Sequence, residues 1–318
     1  MGTSNCTSVT VFILLGFTDL FGLQPLMFLL FLALYVIALL GNIGMILAIW
    51  MTPRLATPMY FFLLNLSILD LCYSSAISPQ MLSHLLAEDK SISFGGCVAQ
   101  MYIFVMLGTS EALLLGVMAY DRFVAICSPL RYTLIMTRAL CAQLVAGVYG
   151  LGTIQSLVQT CLTFQLPFCY TNQINHFFCD VPPLLKASSA DVHMNELVLF
   201  VLGSLTEVGS ILVILVSYAY IISAILKITS TSGRQRTFST CASHLTVVCL
   251  FYGTIFFMYL RPPSISFRGQ DQVVSVVYTV VIPVLNPLIY SLRNKEVKQA
   301  LRTSLPWKQC TTKMLTDQ

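Results

Sequence analysis

The residues of this sequence that could do chemistry are ionisable side chains set inside long apolar segments. Asp121 and Arg122 interrupt the run LLLGVMAYDRFVAIC, which is otherwise uncharged. A charged pair inside lipid is costly, so it lies at the membrane edge or faces a protein interior. Two interpretations are open. Arg122 snorkels to the headgroups beside an incidental Asp121, or Asp121 is an ionic latch that holds Arg122 until a conformational change frees it for a partner.

Two carboxyl groups, Asp70 and Glu111, also fall within apolar segments. Glu111 and Arg122 are 11 residues apart, which on a helix is about three turns and places them on nearly the same face, about 16 Å apart. Intramembrane carboxyl groups need a cation, a proton or polar partners. Candidate polar partners in other apolar segments are Asn42, Asn286 and Ser291.

Other reactive side chains form no convincing catalytic pattern. The segment HFFCD, His176–Asp180, could be interpreted as a metal site through His176, Cys179 and Asp180, but a disulfide at Cys179 would remove the thiolate ligand. The four histidines and scattered serines do not form a triad, and the sequence has no glycine-rich phosphate-binding motif. We therefore expect no enzyme and no catalytic residues.

Composition indicates that lipid is the solvent for most of the chain. Of the 318 residues, 57% are hydrophobic and 9% are charged, and the mean hydropathy is +0.81. Soluble domains average about 25% charged residues, so this chain has too few to cover a surface in water. A net charge of only +4 gives no support to a nucleic-acid partner.

Seven segments are long and apolar enough to cross a bilayer, which takes about 20 residues. They are about Pro25–Trp50, Pro58–Leu82, Cys97–Ala125, Leu140–Leu162, Glu196–Leu226, Phe238–Leu260 and Gln272–Leu292. The few titratable residues within them include Asp70, Glu111, Glu207 and His244. This pattern predicts an all-α membrane protein, one seven-helix domain over residues 1–318, with residues 1–24 before the first span and residues 293–318 after the last.

Basic residues predict the orientation of these spans. If the Arg122 end of the third span is cytoplasmic, 13 of the 17 lysines and arginines lie on the inner side, as the positive-inside rule requires. An odd number of spans then puts the N-terminus outside, where Asn5 begins the glycosylation sequon Asn5-Cys6-Thr7. After the last span, RNKEVKQALRTSL predicts a short amphipathic helix on the inner leaflet.

Short motifs follow one another along nearly the whole chain. MAYDRFVAIC surrounds Arg122, and the others, in chain order, are FILLGF, PMYFFLLNLSILD, NHFFCD, RTFSTCASHL, FYGT and PVLNPLIYSLRN. Together they resemble the signatures of olfactory receptors, a family of rhodopsin-like G-protein-coupled receptors. The long second outer loop is similar to that of the tetrapod-type (class II) branch.

The sequence departs from the family pattern at several positions. Phe123 stands where Tyr is common, and Arg236-Thr237 replaces the usual Lys-Ala. Ser189 stands where the family usually has a further loop cysteine. A disulfide between that position and Cys169 is therefore in doubt, and Cys169 is either free or paired elsewhere.

The resemblance implies a disulfide between Cys97 and Cys179 that ties the loop after the fourth span to the third, although spacing alone does not assign the pairing. Rhodopsin-like receptors commonly hold sodium at the position of Asp70, so a Na⁺ site at Asp70 and Glu111 and a protonated structural pair are both open. Pro287, with Pro283, suggests a hinge in the seventh span. The resemblance links activation and G-protein coupling to Asp121, Arg122, Tyr218, Arg236, His244, Tyr252, Asn286, Pro287 and Tyr290.

A ligand site is expected in the outer half of the bundle. The candidates on the third span follow the i, i+3, i+4, i+7 spacing on the face that carries Glu111. The full candidate set is Met101, Phe104, Val105, Gly108, Thr109, Leu202, Gly203, Thr206, Ile255, Phe256, Tyr259, Val276 and Thr279. This apolar lining suits a small uncharged volatile, and the third span offers no carboxylate high enough for an amine. Ordinary helix packing is the alternative for each residue.

These observations predict an odorant receptor in the plasma membrane, in the cilia of olfactory sensory neurons. A small, mostly apolar volatile shifts the population toward a state in which the sixth helix has moved away from the third. The resemblance implies that a stimulatory, olfactory-type heterotrimeric G protein then binds near Arg122 and raises cyclic AMP. No cofactor is expected apart from the Na⁺ ion considered above. The alternatives are a non-olfactory rhodopsin-like receptor for another small apolar ligand, and a transporter or channel, for which the sequence lacks repeat symmetry.

Overall fold

The computed structural model describes residues 9–17, 22–169, 171–227, 230–259, 270–293 and 295–304. Within these ranges the side chains at 232, 236, 239, 240, 259, 270, 292, 293, 295 and 301–304 lie outside the description. In the described part of the chain, seven helical segments are long and apolar enough to cross a membrane. The predicted fold class is confirmed.

The seven spans are helices packed as one bundle. Their bounds are α1 (Gln24–Met51), α2 (Pro58–Leu86), α3 (Phe94–Cys127), α5 (Arg138–Phe164), α7 (His193–Leu226), α8 (Thr231–Tyr259) and, for the seventh, α9 (Gln270–Val276), a π-helical turn (Val277–Val281) and α10 (Ile282–Arg293). Short helices α4 (Tyr132–Ile135), α6 (Val181–Ala187) and α11 (Lys295–Ser304) lie between or after them. Most observed helices extend a few residues beyond the predicted spans because helix continues past the apolar core.

Local sequence explains where several helices begin. Pro25 and Pro58 occupy the first turns of α1 and α2, where a missing N–H costs nothing because that group has no intrahelical acceptor. Ser93 caps α3 by accepting a hydrogen bond from the Gly96 N–H at 3.1 Å. Thr137 caps α5 in the same way, accepting from the Leu140 N–H at 3.2 Å.

Helix α3 forms the centre of the bundle and packs against α2, α5, α7 and α8. Its side chains are largely buried, whereas α1 and α7 expose large apolar side chains along most of their length. In α5, Gly152 lets the backbone approach α3 closely, since a Cβ at this position would lie 2.4 Å from Ser110 Oγ. The polar residues of α3 therefore face protein rather than lipid.

The end of the bundle that contains Cys97, called here the disulfide end, carries a small sheet. Strand β1 (Val11–Leu14) lies between β2 (Ser91–Ser93), with which it pairs antiparallel, and β3 (Gln173–Ile174), with which it pairs parallel. Phe12 of β1 is fully buried and contacts the rings of Phe94 and Phe168. The segment VFIL is thus a central strand that covers this end of the helices.

The opposite end, called here the Arg122 end, carries α4 and α11. The apolar face predicted for the segment after the last span packs on the bundle, where Val297 and Ala300 of α11 are buried. The Tyr60 hydroxyl at the start of α2 donates a 2.8 Å hydrogen bond to Glu296. These contacts confirm the predicted short amphipathic helix.

Candidate functional site

A cavity of about 730 Å³ opens within the bundle toward the disulfide end. Its wall combines residues of α2, α3, α5, α7, α8, the seventh span, α6 and the loop before α6. Many are apolar or aromatic, which is typical of sites for small organic ligands. Residues of the wall include Tyr73, Phe104, Val105, Gly108, Thr109, Gln155, Gln159, His176, Leu199, Phe200, Gly203, Ser204, Glu207, Phe251, Ile255, Phe256 and Tyr278.

The structure brings together about half of the residues that the sequence suggested for ligand binding. Those in the wall are Phe104, Val105, Gly108, Thr109, Gly203, Ile255 and Phe256. Those that do not line this cavity are Met101, Leu202, Thr206, Val276 and Thr279. Met101 and Thr279 are fully buried in helix packing instead.

On α7 the sequence prediction matches the cavity wall at one of three positions. Gly203 lines the cavity, whereas Leu202 and Thr206 do not, and Glu207 lines it instead of Thr206. The Thr206 hydroxyl donates to the Leu202 carbonyl of its own helix at 3.0 Å. Glu207 was noted in the sequence as a titratable residue within the fifth span but was not assigned to the ligand site, although the reasoning that singled out Asp70 and Glu111 applies equally to it.

The loop before α6 closes one side of the cavity with a buried histidine. The His176 ring stacks on Phe177 at a centroid distance of 4.8 Å, and its Nε2 lies 3.0 Å from the Ser275 hydroxyl. Burial lowers the pKa of His176 to about 3, since a charged ring would lose its hydration. His176 is therefore neutral at physiological pH and serves as a polar wall residue.

Below the cavity, two carboxyl groups and one amide meet in the centre of the bundle. The Asn286 amide nitrogen donates to both carboxylate oxygens of Asp70 at 3.0 Å and lies 3.4 Å from Glu111 Oε1. All three residues are buried. The predicted proximity of Asp70, Glu111 and Asn286 is therefore present in the structure.

The other two partners suggested for these carboxyl groups bind elsewhere. Asn42 donates to the carbonyls of Ala38 and Pro283, both at 3.0 Å, and so joins α1 to the seventh span. Ser291 donates to Leu288 of its own helix at 3.4 Å. Pro287 lies within α10 and packs closely on Gly41 of α1, whose Cβ, if present, would lie 3.0 Å from Pro287 Cγ.

The oxygen-rich Asp70–Glu111–Asn286 cluster has donors of the type that hard cations prefer. Among the described residues, no group of three or more His, Cys, Asp or Glu side chains could hold a metal ion. A bound Na⁺ would therefore use the two carboxyl groups together with neutral oxygens. The residues fit such an ion, and they fit a shared proton equally well.

A second polar cluster joins α8 to α3 and α7. The Tyr252 hydroxyl lies 2.7 Å from Ser210 Oγ and 3.1 Å from the Ala112 carbonyl of α3. Ser210 itself donates to the Ala112 carbonyl at 2.7 Å. Tyr252 is buried next to Phe251, which belongs to the cavity wall. One polar contact between α3 and α8 thus lies directly beside the cavity.

Nearer the Arg122 end, His244 makes a second contact between α8 and α3. Its Nε2 lies 3.2 Å from the Leu115 carbonyl, and its Nδ1 lies 2.9 Å from the Tyr218 hydroxyl of α7. A neutral ring with the proton on Nε2 satisfies both partners, since the carbonyl requires a donor. Tyr218 also interacts with the Arg122 side chain. His244 is a buried hydrogen-bonding residue.

Asp121 and Arg122 are both buried where α3 ends. The Tyr132 hydroxyl of α4 donates a 2.8 Å hydrogen bond to Asp121 Oδ1. Burial and the Asp121 carboxylate raise the pKa of Tyr132, which therefore remains a donor. Tyr290 is also buried near Arg122, and its hydroxyl has no hydrogen-bond partner in the described part of the chain.

The Cys97–Cys179 disulfide expected from the resemblance is present and joins α3 to the loop before α6. It removes Cys179 as a metal-binding thiolate. Cys169 is also disulfide-bonded, so of the two alternatives left open by the sequence, a free thiol or a pairing elsewhere, the structure has the pairing. Ser189 still lies beside it, since its hydroxyl accepts from the Cys169 N–H at 2.9 Å.

Three predicted site residues cannot be placed. Asn5, the glycosylation candidate, lies outside the described residues. The backbone of Arg236 and Tyr259 belongs to α8, but their side chains lie outside the description.

The fold and the cavity define a class of protein: a seven-helix membrane bundle with a ligand-sized internal site and buried polar contacts between that site and its opposite end. Comparison with known proteins narrows the class. A family model described as olfactory receptor matches residues 31–308. The human olfactory receptor OR9H1 is 56% identical over 95% of this chain and 98% of its own. Mouse olfactory receptor 9S13 is 54% identical over 95% and 90%, and chicken olfactory receptor-like protein COR4 is 53% identical over 95% and 97%.

The chain belongs to the olfactory receptor family. Odorant reception is therefore its function, and the resemblance that the motifs indicated is confirmed.

Proposed function

We propose that a small, mostly apolar volatile binds in the 730 Å³ cavity and that the bound receptor activates a stimulatory heterotrimeric G protein, raising cyclic AMP. The observation that carries this proposal is the position of the cavity beside the contacts that join α8 to α3. Phe251 and Ile255 of α8 line the cavity, and Tyr252 between them holds the Ala112 carbonyl. A ligand that displaces these aromatic and aliphatic side chains acts directly on that contact.

The mechanism is a population shift. A ligand favours the state in which α8 has moved away from α3 only by the difference between its affinities for the two states. The hydrogen bonds from Tyr252 and His244 to α3 favour the closed arrangement. Their loss on opening would expose the Arg122 end to the G protein, with basic residues at that end helping to attract it.

Orientation and location complete the proposal. The receptor spans the plasma membrane of olfactory cilia with the disulfide end and Asn5 outside and α11 on the cytoplasmic leaflet. The distribution of basic residues supports this orientation. Glycosidase sensitivity of the wild-type chain, lost in Asn5→Gln, would support it, whereas protease cleavage of residues 305–318 from outside intact cells would refute it.

Na⁺ is proposed to bind Asp70 and Glu111, with Asn286 beside them. A bound cation would balance the charge of the two carboxyl groups, and these residues would hold it near the centre of the bundle. The test is thermal unfolding of the purified receptor in NaCl against choline chloride. Na⁺ should raise the melting temperature of the wild type but not of Asp70→Asn, and an equal response of both would leave a shared proton as the explanation.

The coupling is tested with a cyclic-AMP reporter in cells that express the receptor, screened against diverse volatiles. Agonists should raise cyclic AMP in the wild type and in neither Arg122→Ala nor Phe104→Ala at equal surface expression. Normal signalling by Arg122→Ala would contradict the role of the Arg122 end. Unchanged potency of every agonist in Phe104→Ala would place the ligand outside the cavity.

A further inference from the structure

We infer that the ligand carries a hydrogen-bond-donor head group, a primary alcohol or a primary amine, and that Glu207 of α7 binds this group. The inference rests on the proposed function in one respect, namely that the cavity is the ligand site. It adds the chemical class of the ligand and the residue that selects it.

The first step is the position of Glu207. It lies in the wall of the cavity, beside Gly203 and Ser204 of the same helix. Its Oε2 is buried from solvent and has no hydrogen-bond partner among the described residues. A buried carboxyl oxygen without a donor carries a desolvation cost that a ligand donor can offset. The cavity therefore has an unmet requirement for an N–H or O–H group at this point.

The second step is a similar acceptor elsewhere in the wall. Gln155 of α5 also lines the cavity, and its Oε1 is buried without a partner in the described chain. A ligand whose head group only accepts hydrogen bonds, such as an aldehyde, ketone or ester, supplies no donor to either oxygen and leaves both unpaired. Unmatched polar groups of this kind discriminate strongly between ligands, because a desolvated acceptor is left unpaired.

The third step is the remainder of the wall. Phe251, Ile255 and Phe256 of α8 present apolar surface to the same cavity. They suit an aliphatic or aromatic body attached to the polar head group. A monofunctional alcohol or amine with a short hydrocarbon chain matches both parts of the site.

This assignment changes one conclusion drawn from the sequence. The absence of a carboxylate high in the third span argued against an amine ligand, but that argument considered α3 alone. The structure places a carboxyl group of the fifth span, that of Glu207, in the wall of the same cavity as Phe104 and Gly108. Amines are therefore within the ligand class of this receptor.

The experiment compares head groups on one carbon skeleton. The purified receptor and the cyclic-AMP reporter are each tested with straight-chain alcohols, amines, aldehydes and alkanes of six to ten carbons. Alcohols or amines should raise the melting temperature of the purified receptor and give the most potent responses. Glu207→Leu should lower the potency of these donors by about 10-fold, the loss expected when one hydrogen bond to a buried acceptor is removed.

Matched variants separate the two donor types. Glu207→Gln keeps an acceptor oxygen without the charge, so it should retain most of the response to an alcohol and lose the response to an amine. Glu88→Gln removes an exposed carboxylate that is not in the cavity wall and should leave both responses unchanged.

The inference is overturned if aldehydes or alkanes are the best ligands, if Glu207→Leu leaves the donors as potent as before, or if no member of the series stabilises the purified receptor. Failure of the proposed coupling has a different signature. Donor ligands would then stabilise the purified receptor in a Glu207-dependent manner without raising cyclic AMP.

Discussion

Tyr252→Phe removes a single hydroxyl from the contact between α8 and α3. In the structure this hydroxyl lies 3.1 Å from the Ala112 carbonyl and 2.7 Å from Ser210 Oγ. The ring stays in place in the variant, since Phe has nearly the same shape as Tyr. The change therefore tests the hydrogen bonds without opening a cavity in the bundle.

The size of the effect follows from what remains bonded. Ser210 continues to donate to the Ala112 carbonyl at 2.7 Å, so no buried acceptor on α3 is left without a donor. The net loss is about one hydrogen bond, worth about 1 kcal/mol. If that bond exists only while α8 contacts α3, the ratio of open to closed receptor rises about 5-fold, because RT is about 0.6 kcal/mol.

The assay is basal cyclic AMP without added ligand, divided by the amount of receptor at the cell surface. Tyr252→Phe should raise this ratio about 5-fold. Tyr35→Phe is the matched control, since the Tyr35 hydroxyl bonds Ser75 at 3.2 Å between α1 and α2 and has no role at α8. Basal signalling equal to or below that of the wild type would refute the assignment of this contact to the closed state.

Three further predictions follow from individual contacts. Gly152→Ala should destabilise the purified receptor by about 1–3 kcal/mol through the clash with α3, whereas Gly150→Ala, with open space around it, should not. Burial lowers the pKa of His176 to about 3, from an ordinary value of 6.5, so the contribution of His176 to the free energy of unfolding is intact above pH 6.5 and falls as the pH drops toward 3. Thermal unfolding at pH 5 should therefore show a free energy of unfolding lowered by about 2 kcal/mol, and His176→Gln should lack this loss. Cys169 is disulfide-bonded, so a thiol reagent should label it in the denatured receptor only after reduction, whereas the free Cys161 should be labelled before reduction as well; labelling of Cys169 before reduction would contradict this.

The positions of the spans could be predicted from the sequence because hydrocarbon thickness fixes the length of an apolar helix. The same physics located Asp70, Glu111 and Arg122, since an ionisable residue in lipid has to face the protein interior. Asn286 was found among the candidate partners for that reason. Which candidate contacts the carboxyl groups depends on helix packing, which the sequence does not show. Asn42 was also a candidate, but it donates to backbone carbonyls instead.

The face that each helix turns to the cavity was harder to predict. Helix α3 is surrounded by protein, so its spacing pattern correctly indicated Phe104, Val105 and Gly108. Helix α7 faces lipid on one side and the cavity on the other, and both favour apolar side chains. Periodicity therefore does not distinguish the two faces of such a helix, and the prediction included Leu202 and Thr206, which do not line the cavity, and left out Glu207, which does.

The acceptors that hold α8 on α3 are backbone carbonyls, and this determines where the closed state can be tuned. Ala112 and Leu115 are three residues apart on α3, close to one helical turn, so their carbonyls lie on roughly the same face of the helix. A side-chain substitution on α3 leaves both acceptors in place. The donors, Tyr252 and His244, belong to α8 and lie between the cavity and the Arg122 end. Sequence changes at these two positions can therefore alter basal activity while the ligand-binding wall on α3 stays the same.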